Sequence, residues 1–289
     1  MKISTEIGSA ARIVGEEKAV EYVAKAGFDA WDFSMIRPWE MNWDTNRVVE
    51  ADHPLRGKDY LKFARELKQI GLDNGIVCNQ SHAPFPSDAP VIRDVLKRAV
   101  ECTAEAGGQI CVIHPVHTKG PEENAEMYAD LLSFAQGYGV KIATENMWAW
   151  NKELDQAGFA PCATPESFCA HVDVLNNENM VACLDIGHAE MRGIGTSAVE
   201  LIKALGPRLQ ALHIHDNDKW HDSHQIPFSM DIDFGPIVKA LKEVGYTGYF
   251  TLEADCYLKK LPVEKVQEGI NDLARAARKL VQMYENVNV

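Results

Sequence analysis

Eight short runs of β-branched and other apolar residues recur along the chain, separated by longer amphipathic segments. Runs of this length and composition predict buried strands. They cover residues 1–7, 29–35, 75–83, 109–116, 140–147, 180–189, 209–216 and 249–255. The segments between them, such as GKDYLKFARELKQIG and FGPIVKALKEVG, place apolar residues three and four positions apart, which predicts helices with one buried face. The chain is therefore predicted to alternate strand and helix eight times.

Most of the predicted helices end at a glycine just before the next strand, where the left-handed backbone of a helix C-terminus favours a residue without a Cβ atom. These glycines are Gly27, Gly71, Gly107, Gly139, Gly206 and Gly245, and the segment LNNEN at 175–179 supplies asparagines where one glycine is missing. A unit that recurs at 32 to 44 residues predicts a single α/β domain over residues 1–289, folded as a (β/α)₈ TIM barrel. The competing architecture, an open doubly wound sheet, is disfavoured because neither GxGxxG nor GxxxxGK[ST] occurs.

The composition narrows the class of protein. With 289 residues, of which 46% are hydrophobic, the chain can bury one large core. No apolar run approaches the roughly 18 residues of a membrane span, and the N-terminus lacks the pattern of a signal peptide. Seven cysteines without a CxxC pair fit a reducing compartment, so we expect a cytoplasmic protein without a membrane partner. A formal net charge of −13 argues against a nucleic-acid partner, and a homo-oligomer stays open.

Polar and charged residues stand where the predicted strands end. They are His82, His114, Glu145, Asp185, His188, His215 and Glu253. In a (β/α)₈ barrel the carboxyl ends of the strands meet at one mouth, where active sites form. A charged side chain inside a strand costs several kcal/mol unless it is paired, so Glu145, Asp185 and Glu253 need a common cation or an equivalent partner. Carboxylate and imidazole ligands suit Mn²⁺, Mg²⁺, Co²⁺ or Zn²⁺.

Several short motifs resemble those of the xylose isomerase-like barrels, a family that includes sugar isomerases and epimerases, inosose dehydratases and endonuclease IV. The motifs are SHAPFP, CVIHP, ATEN, LDIGHA, HIHDND, HQIPFSMDID and FTLEAD, and the resemblance covers essentially the whole chain. It implies one divalent metal, with Mn²⁺ favoured, held by Glu145, Asp185, His215 and Glu253. It also implies that Glu145 and Glu253 are the catalytic residues. His215 is preferred to His213 because the family's ligand precedes a run of the form x-Asn/Lys-Asp, seen here as HDND.

Endonuclease IV has further ligands for a cluster of three zinc ions, and these too have counterparts in the chain. The counterparts, which could contact either an additional metal or the substrate, are His82, His114, His188, Asp222 and His224. The stretch at 211–228, which holds four histidines and three aspartates, is then explained in part as a strand end and a loop that deliver ligands to one metal centre. Its other members orient those ligands or lie in a solvated loop.

Two chemistries compete for such a centre. In the first, similar to that of the epimerases and ketose isomerases, a divalent ion and two glutamates move a proton next to the carbonyl of a keto-sugar through an enediolate. In the second, a zinc cluster hydrolyses a phosphodiester, as in endonuclease IV. The first is favoured because the chain is acidic and because tryptophans that would suit the apolar face of a sugar follow the second and fifth strands. These tryptophans are Trp39, Trp43, Trp148 and Trp150.

The identity of the carbohydrate substrate stays open at this point. In the loop after the seventh strand, family members often carry Pro-Gly-x-Gly before Ile-Asp, whereas this chain has Phe228 and Met230 at the glycine positions. We expect these larger side chains to narrow or reshape the loop. A dehydratase or lyase acting on a keto-sugar or keto-glycoside is an open alternative, since elimination begins with the same proton abstraction. A non-catalytic barrel would be expected to have lost one of the two glutamates, and both are present.

Overall fold

The computed structural model describes residues 1–288, which form twelve strands and twelve α-helices. The strands are β1 (Lys2–Thr5), β2 (Ala30–Ser34), β3 (Met41–Asn42), β4 (Arg47–Val48), β5 (Val77–His82), β6 (Ile110–Val112), β7 (Lys141–Glu145), β8 (Ala149–Asn151), β9 (Gln156–Gly158), β10 (Met180–Asp185), β11 (Leu209–His213) and β12 (Tyr249–Leu252). The helices are α1 (Gly8–Val14), α2 (Glu16–Lys25), α3 (Tyr60–Asp73), α4 (Pro90–Arg93), α5 (Leu96–Ala106), α6 (Pro121–Gln136), α7 (Pro165–Asp173), α8 (Ile186–Ala189), α9 (Ala198–Leu205), α10 (Phe234–Glu243), α11 (Asp255–Leu258) and α12 (Val266–Asn286).

The eight strands that the apolar runs predict form the barrel. Six of them make a parallel sheet in the order β11-β10-β7-β6-β5-β2, and β1 pairs with β12 in parallel. Isolated bridges between Glu6 and Asp32 and between Ile214 and Leu252 join this pair to the two edges of the six-stranded sheet. The ring is thereby closed, and the predicted xylose isomerase-like (β/α)₈ TIM barrel is confirmed.

The helices pack their apolar faces on the outside of the barrel. In α10 the buried residues Phe234, Ile237, Val238 and Leu241 recur three and four positions apart, as the sequence pattern predicts. The helix begins at a fixed point because the side chain of Asp233 accepts a hydrogen bond of 2.9 Å from the Gly235 amide. No helix among residues 1–288 combines the length and the apolar character that a membrane span requires.

The helix ends follow the glycine prediction with one correction. Gly27, Gly107, Gly139, Gly206 and Gly245 all have positive φ, as does Asn176 in the segment that lacks a glycine. Gly71 was the wrong choice, because it lies inside α3, where a Cβ atom would stand 2.9 Å from the indole nitrogen of Trp31. Gly75, with φ of 78°, takes the left-handed position instead. The glycine in α3 therefore serves close packing on β2.

The interior of the barrel contains both a cluster of apolar side chains and a network of buried polar ones. Small apolar side chains from β6, β7, β10 and β11 form one cluster, which includes Val112, Ala143 and Ala211. Near them Gln80 donates a hydrogen bond of 2.9 Å to Asp32, and both side chains are buried. A buried carboxylate needs such hydrogen-bond donors. The network therefore stabilises buried charge inside the barrel, next to the charged residues at the strand ends.

Two short antiparallel hairpins extend the mouth of the barrel. One pairs β3 with β4 in the connection after β2, and the other pairs β8 with β9 in the connection after β7. Neither hairpin was predicted, because strands of two or three residues have no visible apolar alternation. The hairpins carry Trp43 and Trp150, both of which are exposed.

Candidate metal centre

A cavity of about 740 Å³ opens at the end of the barrel where the strands finish. Its floor contains seven residues that the sequence indicated as ligands or contacts, namely His82, His114, Glu145, His188, Asp222, His224 and Glu253. The two remaining predicted ligands, Asp185 and His215, adjoin this floor and have no exposed surface. The structure therefore brings all nine predicted polar site residues together, although they come from six different connections of the barrel.

Four side chains form a central group in which one potential ligand atom from each lies within 4.8 Å of the others: Glu145, Asp185, His213 and Glu253. The Nδ1 atom of His213 lies 2.9 Å from Glu145 Oε1 and 3.3 Å from Glu253 Oε2. The predicted ligand His215 stands beside this group, with its Nε2 atom 3.1 Å from Asp185 Oδ1. Three of the four predicted ligands are thus in the central group, and His213 is the histidine nearest to the two glutamates.

Two of the four other groups of potential ligands contain the additional residues that the sequence indicated. The first consists of His82, His114 and Glu145, and the second of His188, His215, Asp222 and His224. In the second group Asp222 lies 3.2 Å from His188 and 3.1 Å from His224. The additional residues that the resemblance to endonuclease IV implied are therefore arranged as two potential ligand sets. The first shares Glu145 with the central group, and the second contacts that group through His215 and Asp185.

The buried atoms without hydrogen-bond partners fit a bound cation. Among the described residues, Asp185 Oδ2, His215 Nε2 and Asp222 Oδ1 are buried and form no hydrogen bond. Although His215 Nε2 is close to Asp185, the contact lacks hydrogen-bond geometry. Unpartnered buried polar atoms are costly and rare, and three of them from two carboxylates and one imidazole suit a divalent metal. The residues present therefore fit the metal that the sequence predicts.

The two glutamates differ in their affinity for a proton. Burial alone would raise the pKa of Glu145, but the charge of His213 and hydrogen bonds from His114, His213 and His82 outweigh it and hold the pKa well below its ordinary value. Burial raises the pKa of Glu253, assisted by the charge of Glu145 and opposed by that of His213. Two neighbouring carboxyl groups whose pKa values are shifted in opposite directions can act as a base and an acid.

His213 connects the two glutamates with the barrel interior. Its Nε2 atom lies 3.2 Å from Asp32 Oδ2, and both side chains are completely buried. Sequence reasoning did not select Asp32, although an aspartate between Trp31 and Phe33 in the apolar run DAWDFSM was a signal of the same kind as Glu145 in its own run. Asp32 therefore orients His213, and His213 in turn orients Glu145 and Glu253.

Metal binding to this centre should release protons and strengthen as the pH rises. Burial alone would lower the pKa of His188, but the carboxylates of Asp185 and Asp222 outweigh it and raise the pKa to about 10. Similar charge interactions raise the pKa of His213 and His224 despite their burial. An imidazole must be neutral to bind a metal, so each proton displaced makes the apparent affinity rise roughly tenfold per pH unit.

The measurement is the apparent Kd for Mn²⁺ between pH 6 and pH 8, with calorimetry in buffers of different ionisation enthalpy to count the protons. A pH-independent Kd without proton release would contradict the prediction.

Glu6, at the end of β1, is a buried carboxyl that sequence reasoning did not select. The Ser9 amide donates a hydrogen bond of 3.0 Å to it, and the Ser9 hydroxyl donates a second one. Burial, the nearby charge of Asp255 and, to a smaller extent, that of Glu253 raise its pKa to about 7, against the lowering effect of Ser9. It follows an apolar strand as Glu145 and Glu253 do, which is the signal that could have found it.

The buried Glu6 carboxyl should make the protein less stable as the pH rises from about 4.5 to about 7. In this range the unfolded chain has released the proton of Glu6 while the folded protein still holds it. The stabilisation from protonated Glu6 is complete when the pH is below the pKa of this residue in the unfolded chain. It is lost as the pH rises through the pKa of Glu6 in the folded protein, which lowers the free energy of unfolding by an amount on the order of 3 kcal/mol. The Glu6→Gln variant should lack this change in free energy of unfolding, measured by urea titration of metal-free protein. The exposed Glu21→Gln variant is the control, and a parallel pH dependence of Glu6→Gln and wild type would refute the assignment.

The four predicted substrate tryptophans separate into two pairs. Trp43 and Trp148 line the cavity, and Trp148 donates a hydrogen bond of 3.1 Å to Asp222. Trp39 does not line it, because its ring is buried in the core beneath the guanidinium group of Arg56, 4.9 Å from the ring centroid. Trp150 is outside the lining as well, since the β8–β9 hairpin holds it half exposed at the surface. The predicted substrate loop is therefore reduced to two residues.

The larger side chains in the loop after β11 do not narrow the cavity. Phe228 and Met230 are both absent from its lining. Phe228 keeps a left-handed backbone with φ of 71°, the conformation that a glycine would adopt freely. Its ring instead packs against Phe234 and beneath Lys279 Nζ, which lies 3.7 Å from the ring centroid. The side chain of Phe228 therefore points to the helices, and the expectation that these larger side chains narrow or reshape the loop stays a prediction.

Comparison with known proteins gives three informative matches. Residues 20–280 match the family described as xylose isomerase-like TIM barrel. An uncharacterised protein of Methanocaldococcus jannaschii, MJ1311, is 28% identical over 253 residues, which cover 81% of this chain and 78% of the relative. L-ribulose 3-epimerase of Methylomonas sp. is 22% identical over 250 residues, which cover 83% of this chain and 78% of the relative.

The fold of this chain is also similar to that of a solved protein structure. The IolI protein with a binding zinc atom matches with a TM-score of 0.73 and 20% identity, over 99% of this chain and all of the other (100%). At this level of identity the match shows a shared fold.

Proposed function

This chain belongs to the xylose isomerase-like TIM barrel family, and we propose that it is a keto-sugar epimerase or isomerase that depends on a divalent metal ion. The similarity to L-ribulose 3-epimerase supports an enzyme of the isomerase or epimerase kind. The observation that carries the proposal is the pair Glu145 and Glu253, two carboxyl groups with opposite pKa shifts that share contacts with one imidazole at the floor of the cavity.

The pair can move a proton at the carbon next to a carbonyl. One glutamate, as the carboxylate, removes this proton, and the electron pair of the broken C–H bond forms the enediolate of the sugar. The other glutamate, protonated, returns a proton to the opposite face of the same carbon, which gives an epimer, or to the neighbouring carbon, which gives an isomer. A bound divalent ion supplies electrostatic stabilisation of the negative charge that develops on the sugar oxygens.

The donor set supports one divalent metal, for which Mn²⁺ is our first choice and Mg²⁺, Co²⁺ and Zn²⁺ are alternatives. Glu145, Asp185 and Glu253 offer hard oxygen atoms, and His215 or His213 offers one nitrogen atom. The solved structure of IolI contains a bound zinc atom. His114 and Asp222 would then contact substrate or orient the ligands, which is a testable division of roles.

A second candidate function is hydrolysis at a cluster of several metal ions. It is favoured by the two additional ligand groups, His82 with His114 and His188 with Asp222 and His224. The net charge of −13 counts against it for a nucleic-acid substrate, because counterion release from basic side chains supplies much of the affinity for phosphate backbones. A dehydratase on a keto-sugar would use the same first proton transfer and differs only in the bond that breaks next.

Metal analysis together with solvent exchange tests the proposal. Metal per chain is measured for wild type and for the His114→Ala and Asp222→Ala variants, and each metal-loaded protein is incubated in D₂O with L-ribulose, D-tagatose and D-fructose. We expect about one metal ion per chain in all three proteins, and deuterium incorporation next to the carbonyl by the wild type. Two or three zinc ions per chain that decrease in either variant, with no exchange into any ketose, would support the hydrolytic alternative instead.

A further inference from the structure

The cavity has an apolar wall above its polar floor. Six side chains form this apolar wall: Ile36, Met41, Trp43, Phe85, Met147 and Trp148. They come from the connections after β2, β5 and β7, so three separate parts of the chain contribute to one surface. The floor, with its glutamates and histidines, accounts for binding a sugar and a metal, but the apolar wall has no role in that chemistry.

The cavity is larger than a monosaccharide. At the spacing of liquid water, about 30 Å³ per molecule, the twelve non-hydrogen atoms of a hexose would occupy at most about 360 Å³. The cavity measures about 740 Å³, which lies in the range of sites that enclose drug-sized ligands. A sugar on the floor therefore leaves about half of the space free, and that half is bounded by the apolar wall.

The apolar wall is continuous with the floor through two aromatic contacts. The ring of Phe85 stacks on His114, with 4.8 Å between the ring centroids. The indole nitrogen of Trp148 donates its hydrogen bond to Asp222, which belongs to one of the metal-ligand groups. Farther out, Trp43 stays 65% exposed although it lines the cavity. A ligand bound at the floor would therefore contact these aromatic rings directly, and a flat group on the ligand could cover the exposed indole of Trp43.

The charges around the cavity favour an uncharged ligand. The lining contains one arginine and one lysine, Arg12 and Lys259. Arg12 Nη1 is paired with Glu40 Oε2 at 2.9 Å, and Lys259 Nζ is paired with Asp255. Asp88, which forms no ion pair within residues 1–288, also faces the same space. A phosphate or carboxylate on the ligand would find no lysine or arginine in the lining that is free of a carboxylate partner.

We infer that the substrate of this site is an uncharged keto-glycoside with an aromatic aglycone, whose sugar occupies the floor and whose ring packs on the apolar wall. The inference rests on the proposed function and narrows its substrate class. Proton transfer takes place on the keto-sugar ring, and no bond to the aglycone changes. The apolar wall contributes binding energy from a part of the substrate that does not react.

The test compares two probes that differ only in the aglycone, methyl and phenyl 3-keto-β-D-glucopyranoside, on the metal-loaded full-length protein. Solvent deuterium exchange next to the carbonyl gives kcat/KM, and calorimetry gives Kd. We expect the phenyl compound to be favoured in both at least about tenfold, the ratio that about 1.4 kcal/mol of ring stacking and burial gives. D-fructose 6-phosphate should exchange more slowly than D-fructose.

Two tryptophan variants make the test specific. Trp43→Ala should bring the phenyl-to-methyl ratio close to one, and Trp43→Phe should restore part of it. The control is Trp220→Ala, since Trp220 is 39% exposed and contacts Arg192 outside the cavity lining, so the ratio should remain as in the wild type.

Equal kcat/KM and Kd for the two glycosides, or a preference that Trp43→Ala leaves intact, would overturn the inference. The proposed function would still stand if the methyl glycoside or a free ketose exchanged. If no ketose and neither glycoside exchanged, the proposed function itself would fail, and the substrate class with it. Faster exchange of the phosphorylated ketose would overturn the requirement for an uncharged ligand.

Discussion

The Glu253→Gln variant is expected to exchange the proton of a keto-sugar at least about a hundredfold more slowly than the wild type, while its fold is retained. General acid–base catalysis contributes about 10²–10⁴ in rate, and glutamine has nearly the same shape but cannot carry the proton. Glu253 is the better choice for this experiment because its backbone amide, not its side chain, makes the structural hydrogen bond to Ile214. Glu145→Gln should be equally inactive but less stable, since three histidines surround its carboxylate.

Metal content and circular dichroism separate loss of proton transfer from loss of the metal or of the fold. The matched control is Glu66→Gln, an exposed carboxylate on α3, which should behave as the wild type. A Glu253→Gln variant that keeps its metal and also keeps full exchange activity would refute the role of Glu253. A variant that loses the metal and regains activity at high metal concentration would make Glu253 a ligand alone.

The Gly187→Ala variant should bind the metal at least about tenfold more weakly and lose roughly 1–3 kcal/mol of free energy of unfolding. Gly187 lies in α8 directly after β10, and a Cβ atom at this position would overlap the imidazole ring of His215. The backbone cannot easily shift, because the Gly187 carbonyl accepts a hydrogen bond of 2.9 Å from Asn217. The imidazole must therefore turn away from Asp185, its neighbour at 3.1 Å.

Metal titration and thermal unfolding check this result. The control is Gly120→Ala, where the nearest atom to an added Cβ is 3.9 Å away and the backbone φ of −77° suits any residue. An unchanged metal affinity in Gly187→Ala would mean that His215 is not a ligand. The experiment thus decides between His215, which the sequence motif favours, and His213, which lies nearest to the two glutamates.

The fold could be predicted from the sequence because each barrel strand is buried on both faces and so appears as a short apolar run. Each helix has one apolar face, and a residue with a left-handed backbone conformation follows most of the helices. Together these two features reveal the repeating strand–helix unit of the barrel. Gly71 was misread since a glycine required for packing on Trp31 looks the same in the sequence as a glycine required for its backbone angle. The two hairpins were missed because their strands are too short to show a period.

The site residues could be predicted to the extent that they follow strand ends. Parallel strands bring their carboxyl ends to one mouth, so His82, Glu145 and Glu253 had to converge once the barrel was assumed. Glu6 and Asp32 were not selected, although both belong to apolar runs of the same kind. Their roles depend on distances across the barrel, which a sequence does not display.

The sequence by itself determined the barrel and the mouth at which its polar residues meet, and it predicts a metal site there. It could do so because burial periodicity and strand-end position are local properties of the chain. Only the tertiary structure decided which histidine stands between the glutamates, which carboxyl has the raised pKa, and which tryptophans face the cavity. These properties depend on distances of a few ångströms between residues far apart in the chain, and on the water that their packing excludes.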